Sequence, residues 1–197
     1  MANGRVITGF SKPYVAKYAV ASTVVSYTNG VQLSQGVEVS TSADQGDDNN
    51  FYADNVISET ESGVFTSGEI TLTVKGLDQT AEALIMGLAA ADADGFITYD
   101  DDQSIPDVGL GFIVQYRKDG ATFYTPVIYP RVAFHFVDTN AVTRGETVDW
   151  QTRELTATVK RAEDAKRSWK KVGGDLATEA AAEDAIKEYF NIQQGTT

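Results

Sequence analysis

The stretch of residues 63–86 constrains the fold most, because its hydrophobic period changes from two to about 3.6 along its length. Ile70, Leu72 and Val74 alternate with polar residues, which predicts a strand with one buried face. Beyond the strand, apolar residues recur every three or four positions, and Asp78 stands where a helix N-cap would. We therefore expect a sheet with a short helix lying against it.

Other parts of the chain predict more strands for the same sheet. Period-two alternation between turn sequences predicts strands at residues 14–19, 24–28, 31–33, 37–40, 96–99, 109–117, 122–137 and 146–161. The pairs Asn29-Gly30 and Asp119-Gly120 predict tight hairpin turns, because these residues tolerate positive φ. The sequence thus predicts a mainly β chain.

Two further patterns concern the shape of these strands. Pro126 and Pro130 lie within residues 122–137, and proline cannot donate to a ladder, so this strand is expected to be bent, bulged or at an edge. Residues 1–12 are polar and contain glycine, which predicts a flexible or partner-dependent arm.

The net charge of −12 is distributed unevenly along the chain. Residues 1–108 carry 4 basic and 16 acidic side chains, whereas residues 109–197 carry 12 of each. An acidic surface repels the phosphates of nucleic acids and cannot supply the cations that DNA binding needs. Solubility is the alternative reason for such a surface.

Residues 41–62 form the most distinctive acidic segment, with six acidic and no basic side chains. A segment of this length is either a loop or a hairpin with a long tip, and its aromatic residues favour docking over disorder. We therefore predict that it contacts another subunit. The candidate contact residues are Asp44, Asp47, Asp48, Phe51, Tyr52 and Asp54.

The C-terminal part combines a basic patch, a Gly173-Gly174 hinge and a helix that Thr178 is expected to cap. The apolar stripe of this helix consists of Ala182, Ile186 and either Tyr189 or Phe190. Such a helix is marginal alone, so we expect it to pack on its own domain or on a neighbour. The sequence predicts a β-sandwich domain over residues 1–165 and a basic hinge with a C-terminal helix over residues 166–197.

The basic patch consists of Lys166, Arg167, Trp169, Lys170 and Lys171. It could bind nucleic acid through cations and stacking, or it could be the solvated flank of the hinge. The charge asymmetry favours a third interpretation, in which the patch of one copy contacts the acidic loops of another. We therefore rank self-association first.

Residues that would support catalysis are scarce in the sequence. His135 is the single histidine and there is no cysteine, which argues against a zinc site or a Ser-His-Asp triad and for a structural role of His135. The acidic residues at positions 92–102 depart from the EF-hand pattern. We predict that the protein is not an enzyme and has no catalytic, cofactor-binding or metal-binding residues.

Five short motifs occur in an order that is characteristic of one family. They are Gly9-Phe10-Ser11-Lys12-Pro13-Tyr14, Phe51-Tyr52-Ala53-Asp54-Asn55, Gly68-Glu69-Ile70-Thr71-Leu72-Thr73-Val74, Gly109-Leu110-Gly111-Phe112-Ile113 and Thr143-Arg144-Gly145-Glu146. As a set they resemble the major tail proteins, or tail-tube proteins, of phages with long non-contractile tails, in the group called phi13-type. The resemblance covers the chain to about residue 171.

The resemblance implies a mainly β fold, a β-sandwich or open barrel with one flanking helix, a long hairpin loop and a C-terminal helix. It also implies a structural virion protein of which six copies form a ring, and rings that stack into the tail tube through which phage DNA passes. The implied partners are tape-measure and tail-terminator proteins, with DNA only as non-sticking cargo and no membrane. The implied location is the virion tail, after assembly in the host cytoplasm.

Two other functional classes remain open at this point. The first is a carbohydrate- or ligand-binding β-sandwich module, which would use Trp150, Trp169 or exposed tyrosines as an aromatic platform. The second is a hydrolase that uses a pair of carboxylates.

Overall fold

The computed structural model describes residues 4–53, 55–61, 63–143 and 150–192, but not the side chains of residues 49–53 and 56–61. Strands hold 47% and helices 11% of the chain, which confirms the mainly β class. The strands are β1 (Val6–Ala21), β2 (Val24–Gln32), β3 (Gly36–Gln45), β4 (Asn49–Ala53), β5 (Val56–Glu61), β6 (Phe65–Val74), β7 (Val108–Lys118), β8 (Ala121–Phe134), β9 (Arg153–Val159) and β10 (Lys171–Val172). The helices are α1 (Gln79–Met86) and α2 (Glu179–Tyr189).

The main antiparallel sheet curls into an open barrel. Its strand order is β2-β1-β7-β8-β9-β6-β3, with β10 added to β8, so β2 and β3 are the outermost strands. A flat sheet would hold β2 and β3 about 29 Å apart, whereas the three linking residues let the chain span at most about 14 Å. The sheet therefore has to curl, and β3 accordingly contacts β1, where Gly36 lies against the ring of Phe10.

The interior of the barrel holds the main core, and residues 63–86 supply its centre. Ile70, Leu72 and Val74 of β6 are fully buried, as the alternation predicts. Asp78 accepts a hydrogen bond from Thr80 N and caps α1, which closes part of the core with Ile85 and other apolar residues. The predicted strand followed by a capped helix is confirmed.

A second core lies outside the barrel, under α2. Thr178 caps this helix by accepting from Ala181 N, as predicted. Its buried side chains Ala182, Ile186 and Phe190 pack on the outer side of β1, β2, β7 and β8. Since β7 is covered on both faces, its apolar run is nearly continuous. The helix thus packs on its own subunit, while the predicted boundary at residue 165 stays a prediction.

Two predictions for the first strands are wrong. Residues 6–12 do not form an arm but belong to β1, where Val6 pairs with Arg117 of β7. Asn29-Gly30 does not form the hairpin turn, which lies instead at Ser22 and Thr23, both with positive φ. Asn29 and Gly30 form a bulge within β2, because these two residues oppose the single residue Ala16 on β1.

The prolines of β8 mark a bulge rather than an edge. Along β7 two residue steps separate Val108 from Leu110, whereas three steps separate their partners Val132 and Tyr129, so β8 carries an extra residue beside Pro130. The buried Tyr27 hydroxyl donates to Pro130 O at 2.9 Å. β8 is an inner strand, because β7 pairs with one side and β9 and β10 share the other. The bulged alternative is thus confirmed and the edge alternative is wrong.

Three smaller expectations also fail. Residues 96–99 are not a strand, and Phe96 is 69% exposed. β8 ends at Phe134, so Phe136 lies outside the strand and is exposed. β9 begins at Arg153 rather than at residue 146, and Arg144, Gly145, Glu146 and Val148 lie outside the described residues.

Candidate interaction surface

The hairpin formed by β4 and β5 is the long-tipped hairpin that the sequence offered as one of two alternatives for residues 41–62. Within the described residues its two strands form a separate sheet and pair only with each other. Its turn contains Asn55, which has a φ of 67°. Two strands alone are marginally stable in water. Among the described residues, the outer edge of each strand of the hairpin is therefore unpaired.

Three of the acidic candidates lie at the base of this hairpin. Asp44 is exposed near the end of β3, where its carboxylate accepts from Ser67 Oγ at 3.1 Å. Asp48 is exposed and accepts from Gly63 N at 2.9 Å, which ties the two ends of the hairpin together. Asp47 is exposed beside it. Phe51 and Tyr52 belong to β4, but their side chains and all of Asp54 lie outside the described residues.

The basic candidates do not form one continuous free patch. The Trp169 ring stacks in parallel on Phe65, with centroids 4.4 Å apart, and is half-buried against the main core. Lys170 and Lys171 approach the rings of Tyr129 and Tyr189 at 5.4 and 4.8 Å, and Lys171 belongs to β10. Lys166 and Arg167 are exposed. The segment therefore packs on its own sheet, and its lysines point to different sides of β8.

The stacked Trp169 also bears on the ligand-binding alternative. A carbohydrate platform needs an open aromatic face, and Phe65 covers one face of Trp169. Trp150 is 83% exposed. Nothing in the described residues pairs it with a second aromatic ring to form a platform.

An apolar cavity opens where the barrel is incompletely closed, and we call it the barrel mouth. It has a volume of about 400 Å³ and lies between the first half of β1, β3, β7, β8 and β10. Its floor consists of Phe10, Val39, Phe112, Tyr116, Val127 and Tyr129. Ile7, Val37 and Val172 stand at its rim with exposed fractions of 63%, 56% and 53%. Apolar side chains exposed together around a cavity are typical of an interaction site.

Two strand edges that have no strand partner among the described residues flank the barrel mouth. In the described part of the chain, β2 pairs with β1 only from Tyr14 onward, so the first half of β1 is paired there on one side only, with β7. In the part of the chain that the structure describes, β3 pairs with β6 and with no other strand. Unpaired backbone groups beside an apolar floor can accept an added strand.

Ionic contacts hold α2 and the segment before it against the first half of β1. Arg5 pairs with Asp175, Ser11 donates to Glu179 at 2.5 Å, and Lys12 pairs with Glu183 at 3.3 Å. Partial burial by itself raises the pKa of Glu183. Hydrogen bonds from Lys187, Tyr14 and Lys12 outweigh it and lower that pKa to about 2. The helix is therefore fastened to β1 by charges as well as by apolar packing.

A second charged network joins Arg131 of β8 to the segment before β7 and to the segment after β9. Arg131 contacts Asp107 at 2.6 Å and Glu163 at 2.5 Å, and Lys160 contacts Asp107 at 2.8 Å. Partial burial raises the pKa of Asp107, but hydrogen bonds from Lys160 and Arg131 prevail and lower it. Every charge in this network is matched by an opposite charge, which makes it a structural network.

His135, Asp92 and Asp100 each have hydrogen-bond partners among the described residues. The two ring nitrogens of His135 lie 2.9 and 3.1 Å from the hydroxyls of Thr158 and Thr156, so the ring is positioned by β9. No group of three or more His, Cys, Asp or Glu residues in the described ranges could hold a metal ion. Asp92 and Asp100 accept from backbone N–H groups two residues ahead and so shape the loop that follows α1.

Comparison of the chain with protein-family models and with curated proteins gave no match. The resemblance to tail-tube proteins therefore stays a prediction. No helix among the described residues has the length and apolar character needed to cross a membrane.

The barrel mouth was not predicted from the sequence, although a signal for the first half of β1 was present. Val6 and Ile7 are apolar residues near the start of the chain, in the segment assigned to an arm. The β-branched residues at positions 6–8 favour a strand over an arm. The exposure of Val37, by contrast, depends on where β3 diverges from β1, which no local pattern shows.

Proposed function

We propose that the protein is a structural subunit that assembles with copies of itself, as a tail-tube protein does, and that it has no catalytic role. The observation that carries the proposal is the β4–β5 hairpin, which pairs only with itself in the described residues. A two-stranded sheet with free edges gains most by docking on another subunit. A hairpin on one face that docks on a different face of the next copy makes a head-to-tail contact, which closes into rings or extends into tubes.

The charge distribution supports the same proposal. The acidic excess of the whole chain lies in residues 1–108, which include the hairpin. Complementary charges between copies fix orientation and register. If acidic side chains also line the lumen of a ring, DNA passes without being bound, because no phosphate is neutralised there.

The test is the oligomeric state of the purified chain as its concentration is raised. We expect rings and short tubes by negative-stain electron microscopy, and fast-sedimenting species by analytical ultracentrifugation. A monomer at every concentration and salt level would contradict the proposal.

A hairpin deletion provides the matched variant. Gly46 N donates to Val64 O at 3.0 Å, so β3 and β6 are already joined below the hairpin. Replacing residues 49–61 by a two-residue Asn-Gly turn therefore leaves the barrel intact. The shortened chain is expected to unfold at nearly the same urea concentration as the full chain but to remain monomeric. Assembly that is unchanged by the deletion would exclude the hairpin as the contact.

A further inference from the structure

The outer edge of β8, on the side away from β7, depends on a short segment for its cover. Among the described residues, β9 pairs with β8 only at Val132, Ala133 and Phe134. The earlier part of that edge is covered by residues 169–176, which we call the strap and which contain β10. An uncovered strand edge of this length is a template for pairing with another chain. The strap therefore lies where such pairing would otherwise occur.

The strap satisfies backbone groups along this edge. Tyr124 N donates to Leu176 O and Leu176 N donates to Tyr124 O, both at 2.9 Å, and Gly173 N donates to Pro126 O at 2.8 Å. Backbone groups point to alternate sides along a strand, so an N–H at position 126 would point to the strap as that of Tyr124 does. Proline removes that donor, as is common on strand edges that are kept from pairing with other chains.

The strap is held at its two ends. Near its start, Trp169 stacks on Phe65 with ring centroids 4.4 Å apart. Near its end, Asp175 accepts from Thr125 Oγ1 at 2.7 Å and pairs with Arg5. Residues 170–174 between these contacts are all exposed. The middle of the strap therefore buries little apolar surface and adds little to the core, although it covers the edge of β8.

We propose that the strap is a protective cover, which keeps residues 121–130 of β8 from pairing with an extended strand of a second copy of this chain. Displacing the strap frees the N–H and C=O groups of Tyr124 for such pairing. The inference goes beyond the proposed function, because it concerns an association that the fold prevents and does not involve the β4–β5 hairpin.

Gly173→Ala in the full chain displaces the strap without changing β8. A Cβ at this position would lie 2.6 Å from Cγ of Pro126, whose ring cannot turn away as a flexible side chain can. Gly174→Ala is the matched control, because nothing lies within 4 Å of its Cβ position. Neither glycine has a positive φ, so alanine fits the backbone at both positions.

We expect the amides of Tyr124 and Leu176 to exchange hydrogen about tenfold faster in Gly173→Ala than in Gly174→Ala, because local opening of the strap exposes them. Sedimentation velocity is run at concentrations where the unsubstituted chain is monomeric. It should show dimers and larger species for Gly173→Ala and monomers for Gly174→Ala. Equal association of the two variants would overturn the proposal.

A disulfide keeps the proposal testable if Gly173→Ala lowers the stability of the whole subunit. Val127 and Val172 are directly opposite each other in the pairing of β8 with β10, which brings their Cβ atoms close enough for a disulfide. The chain has no cysteine of its own. Adding Val127→Cys and Val172→Cys to Gly173→Ala should give a protein that associates when reduced and is monomeric when oxidised. Association that persists after oxidation would overturn the proposal.

The outcomes separate this inference from the proposed function. Rings formed by the unsubstituted chain, with no difference between Gly173→Ala and Gly174→Ala, would leave self-assembly in place and exclude the protective role of the strap. An unsubstituted chain that is monomeric at every concentration, with association of Gly173→Ala that oxidation reverses, would support the role of the strap and contradict a tube protein.

Discussion

The outer face of β7 and the barrel mouth are both apolar, but the chain covers only the first. On the outer face, Gly109 and Gly111 have no side chain, and the rings and methyl groups of Phe190 and Ile186 fill that space. At the mouth, Ile7 and Val37 remain more than half exposed. The same sheet thus carries one surface that its own helix completes and one that no described part of the chain completes.

We therefore expect α2 and the β4–β5 hairpin to have different roles. α2 is held by the packing of Phe190 and by the ion pairs of Asp175 and Glu183. These contacts contribute to the free energy of unfolding of the subunit. The hairpin forms no strand pairs outside itself among the described residues, so we expect it to contribute little to the stability of the subunit. Substitutions at α2 should therefore change unfolding, and deletion of the hairpin should change association.

The largest effect is expected for Phe190→Ala. The ring is fully buried against Tyr27 and lies on Gly109, so truncation leaves a cavity that the sheet cannot close. We expect a loss of about 3–5 kcal/mol in the free energy of unfolding, measured by urea denaturation. Phe96→Ala, at a phenylalanine that is 69% exposed, should change that free energy by less than about 0.5 kcal/mol. Similar losses for both would mean that α2 does not seal the outer face.

Gly109→Ala should have the next largest effect, because the close contact of α2 leaves no room for a methyl group. A Cβ at this position would lie 2.4 Å from Phe190 Cε1 and 2.7 Å from Tyr27 Cε1. We expect a loss of about 1–3 kcal/mol by urea denaturation. Gly174→Ala is the control, because nothing lies within 4 Å of its Cβ position.

The double variant Gly109→Ala/Phe190→Ala sharpens this test. If the methyl group is costly because it meets the Phe190 ring, its cost should fall once the ring is absent. The two losses should then be less than additive by about 1 kcal/mol or more. Strict additivity would assign the cost to the contact with Tyr27 or to the backbone of β7 instead.

The features that could be predicted from the sequence are those set by local periodicity. The alternation of Ile70, Leu72 and Val74 predicted β6, and Asp78 and Thr178 predicted the starts of both helices, because caps and pleats involve neighbours in the chain. The hairpin at residues 41–62 was one of two predicted alternatives. Its acidic composition was evident, although its lack of a partner was not.

The parts that could not be predicted depend on residues far apart in sequence. Asn29-Gly30 has the composition of a tight turn, but the pairing of Val15 with Val31 places it in a bulge. The first residues looked like an arm because their partner, β7, lies about a hundred residues later. The mouth exists only because the sheet curls and β3 diverges from β1, so its rim follows from tertiary structure alone.

Glu183→Gln should produce a smaller and pH-dependent loss. Because the pKa of Glu183 is lowered from 4.5 to about 2 in the folded state, its ionised form stabilises the fold at pH above about 4.5. That contribution declines as the pH falls toward 2. We expect a loss of about 1–2 kcal/mol at pH 7 that shrinks between pH 4.5 and 2, measured by urea denaturation at several pH values.

Glu188→Gln provides the control for that measurement, because Glu188 lies in the same helix and is exposed. It should change the free energy of unfolding by less than about 0.5 kcal/mol at every pH. A loss for Glu183→Gln that stays constant from pH 7 to pH 2 would show that the ion pairs with β1 do not hold α2.

The smallest effect on folding is expected at the rim of the mouth. Val37→Thr replaces a methyl group by a hydroxyl at a side chain that is 56% exposed, so the monomer should lose less than about 0.5 kcal/mol by urea denaturation. The same substitution on the floor, Val127→Thr, places a hydroxyl at a residue that is 5% exposed and should cost about 1–3 kcal/mol. Equal losses at both positions would mean that Val37 is buried in the isolated subunit, and the mouth would then be closed.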